Sequence, residues 1–452
     1  MTQERDNKNL RCDLLVRADA IVTQDDERRV LTDAAVAVTD GLVAEVGDYA
    51  SLASAYEPEQ TLDLSGKMLL PGLVNGHTHL PMTLQRGLAD DLPLMDWLQN
   101  HIWPVEAKLN EALLASGAKL GCAELIRTGC TAFLNGYFHE QITGQTVSDC
   151  GLRAVLGEGF FAFPSPFFAT AEDCWNTVRA LDERYRDHPR LRSAVTPHAV
   201  YTVEPDQLAE SFELAESLDI PWQTHLAESP METALCLEKH GMRPVEILRS
   251  LNLLSPRTTL HHCVDVTDEE IALLADRGVN VVHNPASNLK LCSGLSPVQK
   301  MLDAGVNVGL GTDGAASNNQ LNMFRDMGLA ALVGKVSHGD ASAVSAQTAL
   351  DMATRNSARC LGWPELGRIE AGCPADMCAL DLASPNLMPM FNPVSHAVYA
   401  ATGLEVCMTM AAGEVLYLYG DFRTLDMTAL REEAVECAKW ARCAAGRGKN
   451  TK

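Results

Sequence analysis

The chain has 452 residues, of which 46% are hydrophobic and 21% are charged, a composition typical of a globular protein that can bury a sizeable core. The chain contains 36 lysines and arginines and 59 aspartates and glutamates, so its formal net charge is −23. A chain this acidic repels phosphate backbones and anionic lipid, which argues against nucleic acid and membrane surfaces and favours a neutral or cationic small molecule as partner.

The start of the sequence and the cysteines indicate the compartment. The sequence begins MTQERDNKNLRCDLL, which is polar and lacks the apolar stretch of a signal peptide. No apolar run approaches the ~18 residues that a spanning helix needs. The 14 cysteines are scattered without any C-x-x-C pair, which argues against a zinc ribbon or a redox motif. We therefore expect small buried thiols in a reducing cytoplasm.

Residues 1–67 are predicted to form short strands that belong to a small β domain. Runs rich in β-forming residues are separated by Asp, Gly and Asn, which favour turns. These runs are residues 12–16, 20–22, 34–38 and 42–46.

Residues 68–374 alternate short apolar runs with stretches of helical periodicity, such as Pro205–Leu218 and residues 268–277. Eight such units predict an α/β protein with a (β/α)8 TIM-like barrel. The alternative is a doubly wound open sheet, but the first turn reads NGHTH in place of a Gly-rich phosphate loop. The eight runs are residues 68–75, 131–137, 152–160, 191–196, 221–224, 258–261, 279–283 and 306–311.

Residues 375–452 return to a strand pattern and end in a predicted helix at 427–442. Because the two β segments flank the barrel, we expect them to pair into one composite β-sandwich. The predicted strands of this part are residues 375–380, 396–399, 406–411 and 414–419.

The strongest local signal is His77-Thr78-His79, directly after an apolar run. Residues i and i+2 of a strand project to the same face, so two imidazoles come close enough to share one metal ion. An isolated His-x-His also occurs by chance, and its interpretation depends on other residues at the same place.

Other candidate residues follow the predicted strands at the same end, where barrel active sites lie. Of 13 histidines, seven fall at these positions. Of the adjacent pair His261 and His262, only one can point inward, and we favour His262. Histidines elsewhere are interpreted as surface or packing residues. The remaining residues at strand ends are His198, His225, His283 and Asp313.

Three neutral imidazoles and one carboxylate suit Zn²⁺, with Fe²⁺ or Mn²⁺ as alternatives. Glu228, three residues after His225, lies where it can carry protons, although a glutamate that opens a helix also favours the helix dipole. Asp313, in TDG, could also belong to a simple turn. The sequence contains no GxxxxGK[ST], GxGxxG or GxSxG motif.

Several segments together resemble the amidohydrolase superfamily, and within it the branch of 5-methylthioadenosine/S-adenosylhomocysteine deaminases and their chlorohydrolase relatives. The similarity extends over nearly the whole chain. The segments are PGLVNGHTHLPMTLQRGLADDLPLMDWL, TPHAVYT, THLAES, HNPASNLKL and GTDGAASNN.

The resemblance implies one divalent metal ion per chain, without a bridging carbamylated lysine. Glu228 would protonate the purine ring, His262 would orient the attacking water, and Asp313 would also accept a proton from it. Glu106 matches a ribose-binding glutamate, His198 a substrate contact and Ser317 a residue near the metal pocket. The implied metal ligands are His77, His79, His225 and Asp313.

The chain departs from the family at one place. Relatives that accept S-adenosylhomocysteine carry arginines after the third strand, whereas the matching position here looks like Glu158, and the loop FFAFPSPFFAT has no basic residue. A carboxylate tail would be repelled there. We therefore expect 5'-methylthioadenosine, adenosine or 5'-deoxyadenosine as substrate in preference to S-adenosylhomocysteine.

Two alternatives remain open. On the same fold, the chain could hydrolyse a triazine or deaminate a free nucleobase, although Glu106 would then have no ribose to bind. A non-catalytic metal-binding scaffold is the other alternative, but such relatives lose the proton carrier or the fourth ligand, and Glu228, His262 and Asp313 are all present. We also expect a homo-oligomer.

Overall fold

The computed structural model describes residues 10–163 and 167–446. Its central element is a parallel barrel whose eight strands occur in sequence order around the barrel. This confirms the predicted architecture. The barrel strands, which we number first to eighth, are Leu73–Thr78, Cys130–Tyr137, Arg153–Phe160, Leu191–Pro197, Trp222–Leu226, Thr258–His262, Asn280–His283 and Asn307–Leu310.

The barrel strands form because they are buried on both faces. Every residue of Cys130–Tyr137 and Arg153–Phe160 is buried, as expected for a sheet that is covered by helices outside and filled by side chains inside. The first and eighth strands approach each other where the backbone N–H of Asp313 donates to the carbonyl of His77 at 3.0 Å. This contact brings the two ends of the sheet together at the edge that carries the candidate residues.

Helices surround the barrel, and their bounds follow local sequence signals. Pro205–Leu218 begins as predicted, with proline at its first position. Short 3₁₀ or π turns cover Leu80–Gln85, Trp97–Ile102, Met352–Asn356, Pro385–Leu387 and His396–Ala400. The α-helices are Tyr49–Ala55, Leu94–Asp96, Trp103–Glu106, Glu111–Arg127, Glu140–Cys150, Ala171–Tyr185, Pro205–Leu218, Pro230–His240, Pro244–Ser250, Asp268–Asp276, Pro285–Lys290, Val298–Asp303, Met323–His338, Ala346–Asp351, Ser357–Cys360, Pro393–Ser395 and Met427–Ala444.

The N- and C-terminal segments pair with each other, as predicted, and their strands form one eight-stranded sheet separate from the barrel. Among the described residues, the only parallel pairing of this sheet joins Leu10–Val22 to Tyr56–Pro71. A bridge between Leu42 and Pro374 connects the edge strand Leu42–Asp48 to the chain just before Met377–Asp381, a strand in the middle of the sheet. Apolar side chains from both segments share one core there. In spatial order the strands are Asp421–Phe422, Glu414–Leu418, Val406–Ala411, Met377–Asp381, Tyr56–Pro71, Leu10–Val22, Val30–Thr39 and Leu42–Asp48.

Two predicted elements differ from the structure. The first barrel strand begins at Leu73 rather than at residue 68, because residues 68–71 pair with Met377–Asp381 in the terminal sheet. The predicted strand at 396–399 is wrong: His396–Ala400 is helical. Asn392 accepts a hydrogen bond from the Ser395 N–H and starts a helical turn there, which the apolar composition of the segment did not indicate.

In the parts of the chain that the structure describes, no helix is both long enough and apolar enough to cross a membrane.

Candidate active site

The candidate metal ligands meet at the carboxyl edge of the barrel. His77 lies in the first strand, His79 directly after it, His225 in the fifth strand, and Asp313 three residues after the eighth. Close packing at Gly311 makes this possible, because a Cβ there would lie 2.8 Å from the backbone nitrogen of His77. Only glycine therefore allows the eighth strand to run this near the first.

The structure brings these four side chains together around one point. Their ligand atoms all lie within 4.8 Å of one another. Asp313 Oδ1 is 3.4 Å from His77 Nε2 and 3.2 Å from His79 Nε2, and His79 Nε2 is 3.3 Å from His225 Nε2. This is the donor set of a mixed nitrogen and oxygen metal site.

The hydrogen bonds of the imidazoles show that the set fits a cation. Nδ1 of His79 faces the carbonyl of Gly136, and Nδ1 of His225 lies 2.7 Å from the carbonyl of His198. Because a carbonyl only accepts, each Nδ1 carries the hydrogen and each Nε2 presents a lone pair to the centre. Both ring nitrogens of His77 are buried without a hydrogen-bond partner among the described residues. Lone pairs that face one another in this way are satisfied by a metal ion.

Ionisation supports the same interpretation. Burial lowers the pKa of His77 to about 3 and that of His225 well below its usual value, so both rings are neutral. Burial also lowers the pKa of His79, but contact with Asp313 outweighs it and the net pKa is raised. Burial raises the pKa of Asp313, but the close contacts with His77 and His79 outweigh it and hold the pKa well below the usual range. The carboxylate is therefore ionised.

Asp313 is held in place by three donors. Ser287 and Ser317 donate their hydroxyls to Oδ2 at 2.7 and 2.8 Å, and the Gly314 N–H donates to Oδ1 at 2.7 Å. Ser317 was expected near the metal pocket, and it acts there on Asp313. Ser287 was not identified from the sequence, although it lies in the HNPASN segment that follows the seventh strand.

His262 and Glu228 lie beside the cluster and line the same cavity. His262 Nδ1 is 2.8 Å from Asn288 Oδ1, and its Nε2 is 4.0 Å from Asp313 Oδ2. His261 is not among the residues that line the cavity: its ring stacks on that of His77 at a centroid distance of 3.7 Å, and its Nε2 contacts Gln223 Oε1 at 2.8 Å. Burial raises the pKa of Glu228, partly offset by the charge of His262. Its carboxyl therefore keeps a proton to higher pH than an exposed glutamate does.

A cavity lies over these residues. Much of its lining is apolar, and neither Lys nor Arg occurs among the described residues that line it. The main aromatic and aliphatic side chains of the lining are Trp97, Leu98, Ile102, Trp103, Phe138 and Phe161.

Glu106 and His198 also line the cavity. Glu106 is buried, and its Oε1 accepts the Tyr137 hydroxyl at 2.6 Å, while burial raises its pKa. His198 Nδ1 lies 2.8 Å from Thr202 Oγ1, and burial lowers the His198 pKa to about 3. Tyr137, which fixes the orientation of Glu106, was not identified from the sequence because no motif links the second strand to residue 106.

Glu158 does not lie where the sequence placed it. Its carboxylate accepts the backbone N–H groups of His139 at 2.6 Å and Glu140 at 2.9 Å, and the side chain is fully buried away from the cavity. The expectation that Glu158 repels a substrate carboxylate is therefore wrong. Aromatic side chains, Phe138 and Phe161, face the cavity instead. Residues 164–166 of the same loop lie outside the described residues.

Comparisons with known proteins extend these observations. Residues 68–416 match the family model described as Amidohydrolase family. The chain is 52% identical over 432 residues, 96% of this chain and 98% of the relative, to a protein of Nitratidesulfovibrio vulgaris named 5-methylthioadenosine/S-adenosylhomocysteine deaminase. It is 43% identical over 404 residues, 89% of this chain and 93% of the relative, to a 5'-deoxyadenosine deaminase of Methanothermobacter thermautotrophicus. A crystal structure of an adenosine deaminase from Xanthomonas campestris with bound zinc superposes with a TM-score of 0.95 at 38% identity, covering 96% of this chain and all of that one.

Proposed function

We propose that this chain, which belongs to the amidohydrolase family, is an aminohydrolase that removes the 6-amino group of a purine nucleoside as ammonia and leaves the 6-oxopurine. One observation carries the proposal. The His77, His79, His225 and Asp313 cluster lies at the base of a cavity that also holds a proton donor, Glu228.

The metal is proposed to be zinc, one ion per chain, held by the four cluster residues. Three neutral imidazoles and one carboxylate are ligands that zinc favours, although Fe²⁺ and Mn²⁺ also accept them. A relative of similar structure was crystallised with bound zinc. When bound, a divalent ion at such a site lowers the pKa of a water molecule to about 7 and so supplies a nucleophile at neutral pH.

Asp313 and Glu228 are proposed to carry out the proton transfers of the reaction, and His262 is proposed to orient the attacking water. Asp313 accepts a proton from the attacking water, whose oxygen is oriented by His262 Nε2. Glu228 donates its proton to N1 of the purine, which makes C6 more electrophilic as the C6–O bond forms. The proton held by Asp313 passes to the 6-amino nitrogen, and the C6–N bond breaks to release ammonia. The proton that remains on the C6 oxygen then passes to the Glu228 carboxylate, which leaves the 6-oxopurine and restores the acid form of Glu228. Ser287 and Ser317 keep Asp313 in the orientation that this transfer needs.

Glu106 is proposed to bind the ribose. Tyr137 already donates to its Oε1, so Oε2 is left to accept the sugar hydroxyls. Changing Glu106 to alanine is expected to raise KM for nucleosides by about 10- to 100-fold, the value of one or two hydrogen bonds to a charged group. The KM for adenine, which has no sugar, should change by less than about twofold. Steady-state kinetics on both substrates measures this, with the exposed Glu111→Ala as control.

An equal loss on adenine and on nucleosides would remove the ribose role of Glu106. It would also remove the main argument against a free nucleobase as substrate.

The apolar part of the cavity lining favours a small 5' group. A methylthio, methyl or hydroxymethyl group fits aromatic surroundings such as Phe138 and Phe161, whereas the amino-acid tail of S-adenosylhomocysteine carries a carboxylate that finds no cationic partner among the described lining residues. We propose that 5'-methylthioadenosine, adenosine and 5'-deoxyadenosine are preferred.

A panel assay tests this function. The zinc-loaded protein is mixed with adenosine, the two 5'-substituted nucleosides, S-adenosylhomocysteine, adenine and a chlorotriazine, and ammonia release is measured together with the ultraviolet spectrum. We expect turnover of the three small nucleosides, with kcat/KM at least about 10-fold above that for S-adenosylhomocysteine, the penalty for burying an unpaired charge. Turnover of the triazine alone would overturn the proposal, and metal binding without any turnover would favour a scaffold.

We further propose that the protein is a cytoplasmic homo-oligomer. All 14 cysteines are unpaired, which supports a reducing compartment.

Leu332 and Val336 lie one turn apart on Met323–His338 and are 56% and 78% exposed. They form an apolar strip that supports assembly. Sedimentation velocity and cell fractionation test the two statements, and a monomer or a secreted product would contradict them.

A further inference from the structure

The side chain of Glu228 depends on its backbone for its position. Its carboxyl lines the cavity, and no hydrogen bond from the described residues holds that carboxyl. A proton donor must lie within hydrogen-bond reach of the atom it protonates. The contacts that hold the backbone of Ala227 and Glu228 therefore determine where the Glu228 carboxyl lies.

That backbone is fixed from two sides. Ala227 has a φ of +49°, in the left-handed region that alanine rarely adopts. Its carbonyl accepts the N–H groups of Val264 at 2.9 Å and Asp265 at 3.0 Å. On the other side, the N–H of Ala227 donates to Glu232 Oε1 at 3.0 Å, and the N–H of Glu228 donates to Glu232 Oε2 at 2.8 Å.

Glu232 departs from the usual role of its position. It is the third residue of Pro230–His240, three after the N-cap Ser229, a spacing that predicts a capping box. In the helices that begin after Thr170 and Thr267, the matching carboxylate accepts the N–H of the cap residue itself. Glu232 instead reaches past the cap to the two preceding residues, so its two hydrogen bonds hold the Glu228 segment.

The environment of Glu232 makes this contact specific. Its side chain is 1% exposed, so no solvent competes for the two N–H groups. Each carboxylate oxygen faces one donor, and a hydrogen on either oxygen would point at an N–H. Burial raises the pKa of Glu232 to about 8, and the two backbone N–H donors act in the opposite direction because they favour the carboxylate. The pair of donors matches the two oxygens of a carboxyl group, and an amide matches only half of the pair.

We propose that Glu232 is a positioning residue for proton transfer, which holds the backbone N–H groups of Ala227 and Glu228 and so places the Glu228 carboxyl over the substrate ring. The proposal rests on the proposed deaminase function. Glu232 contacts neither the metal ligands nor the cavity, so its effect on turnover passes through Glu228.

The test changes Glu232 to Gln, which keeps one acceptor and turns an amide NH₂ group toward the other N–H. We expect kcat to fall about 10- to 100-fold. This is the usual effect of removing a residue that orients a functional group, or of displacing that group by about 1 Å. KM should change less than about threefold, and bound metal should stay at the wild-type level. The limb of the kcat–pH profile that reports Glu228 should also shift. Glu232→Asp, which keeps a carboxyl group but is one methylene shorter, should not restore kcat.

Asp173→Asn is the matched control, because Asp173 forms the ordinary capping box with Thr170. Because Asp173 is exposed and far from the cavity lining, this variant should leave kcat unchanged. If Glu232→Gln lowers Tm but leaves kcat and the pH profile as in the wild type, Glu232 has only a structural role and the proposal is overturned. The same holds if kcat falls together with the metal content.

Hydrogen exchange separates this proposal from the proposed function. In the wild type, the Ala227 and Glu228 amides should exchange slowly, and at least about 10-fold faster in Glu232→Gln, as expected when a buried hydrogen bond is lost. Unchanged exchange would overturn the positioning role even if the wild type is an active deaminase. A wild type that deaminates no adenosine compound would overturn the proposed function whatever the exchange rates are.

Discussion

Replacement of Asp313 by alanine is expected to remove most of the bound metal and to lower kcat/KM for the preferred nucleoside by at least about 10,000-fold. Asp313 supplies the only carboxylate of the four-residue cluster, and its negative charge offsets the cation. Without the ion, water keeps its ordinary pKa and is almost wholly un-ionised at neutral pH. The variant also loses the group that accepts the proton of the attacking water.

Metal content by elemental analysis and kcat/KM with added zinc test this prediction together. The wild type treated with a chelator should regain activity on addition of zinc, whereas Asp313→Ala should not. Asp303→Ala, an exposed carboxylate on Val298–Asp303, serves as control and should keep both metal and activity. A variant that holds about one equivalent of metal with nearly full activity would show that Asp313 is neither ligand nor proton acceptor.

The fold could be predicted because its causes are local and repeated. Each barrel strand is short, apolar and followed by a helical stretch, and parallel strands joined in this way leave their carboxyl ends on one edge. The grouping of His77, His225 and Asp313 therefore followed from their place after strands, although they are far apart in sequence. The position of the two β segments on either side of the barrel likewise predicted that they pair with each other.

Contacts between distant segments could not be predicted. Glu158 lies in the third strand, but its direction is set by the N–H groups of His139 and Glu140, which no sequence period indicates. Asn288 contacts His262, and Tyr137 contacts Glu106, across separate units of the barrel. Such partners depend on how neighbouring loops pack, and they need the three-dimensional structure.

Glu232 illustrates a second limit. The spacing from Ser229 indicates a helix cap, and the structure does show Ser229 accepting the Glu232 N–H. The direction of the Glu232 side chain, however, depends on the left-handed turn at Ala227. The segment after the sixth strand holds that turn, because the N–H groups of Val264 and Asp265 donate to the Ala227 carbonyl. The local motif therefore predicts where the helix starts, but not which N–H groups the Glu232 carboxylate accepts.

Changing Glu228 to Gln is expected to lower kcat by about 100- to 10,000-fold, the usual contribution of a general acid. Glutamine keeps the size of the side chain and can donate a hydrogen bond to N1 of the purine, but it cannot transfer a proton. Because the four proposed metal ligands are unchanged, bound metal should stay at the wild-type level. Nucleoside binding, measured with the 6-oxopurine product, should be nearly unchanged as well.

The pH dependence gives the sharper test of Glu228. The acid form is the reactive one, so kcat should fall as pH rises through the Glu228 pKa. Burial raises that pKa, and the fall should therefore come at a higher pH than for an exposed glutamate. In Glu228→Gln this limb should disappear, while the exposed Glu213→Gln should keep it. If the variant retains the limb and most of its kcat, the proton for N1 must come from another group, and the position of Glu228 over the cavity would then serve binding alone.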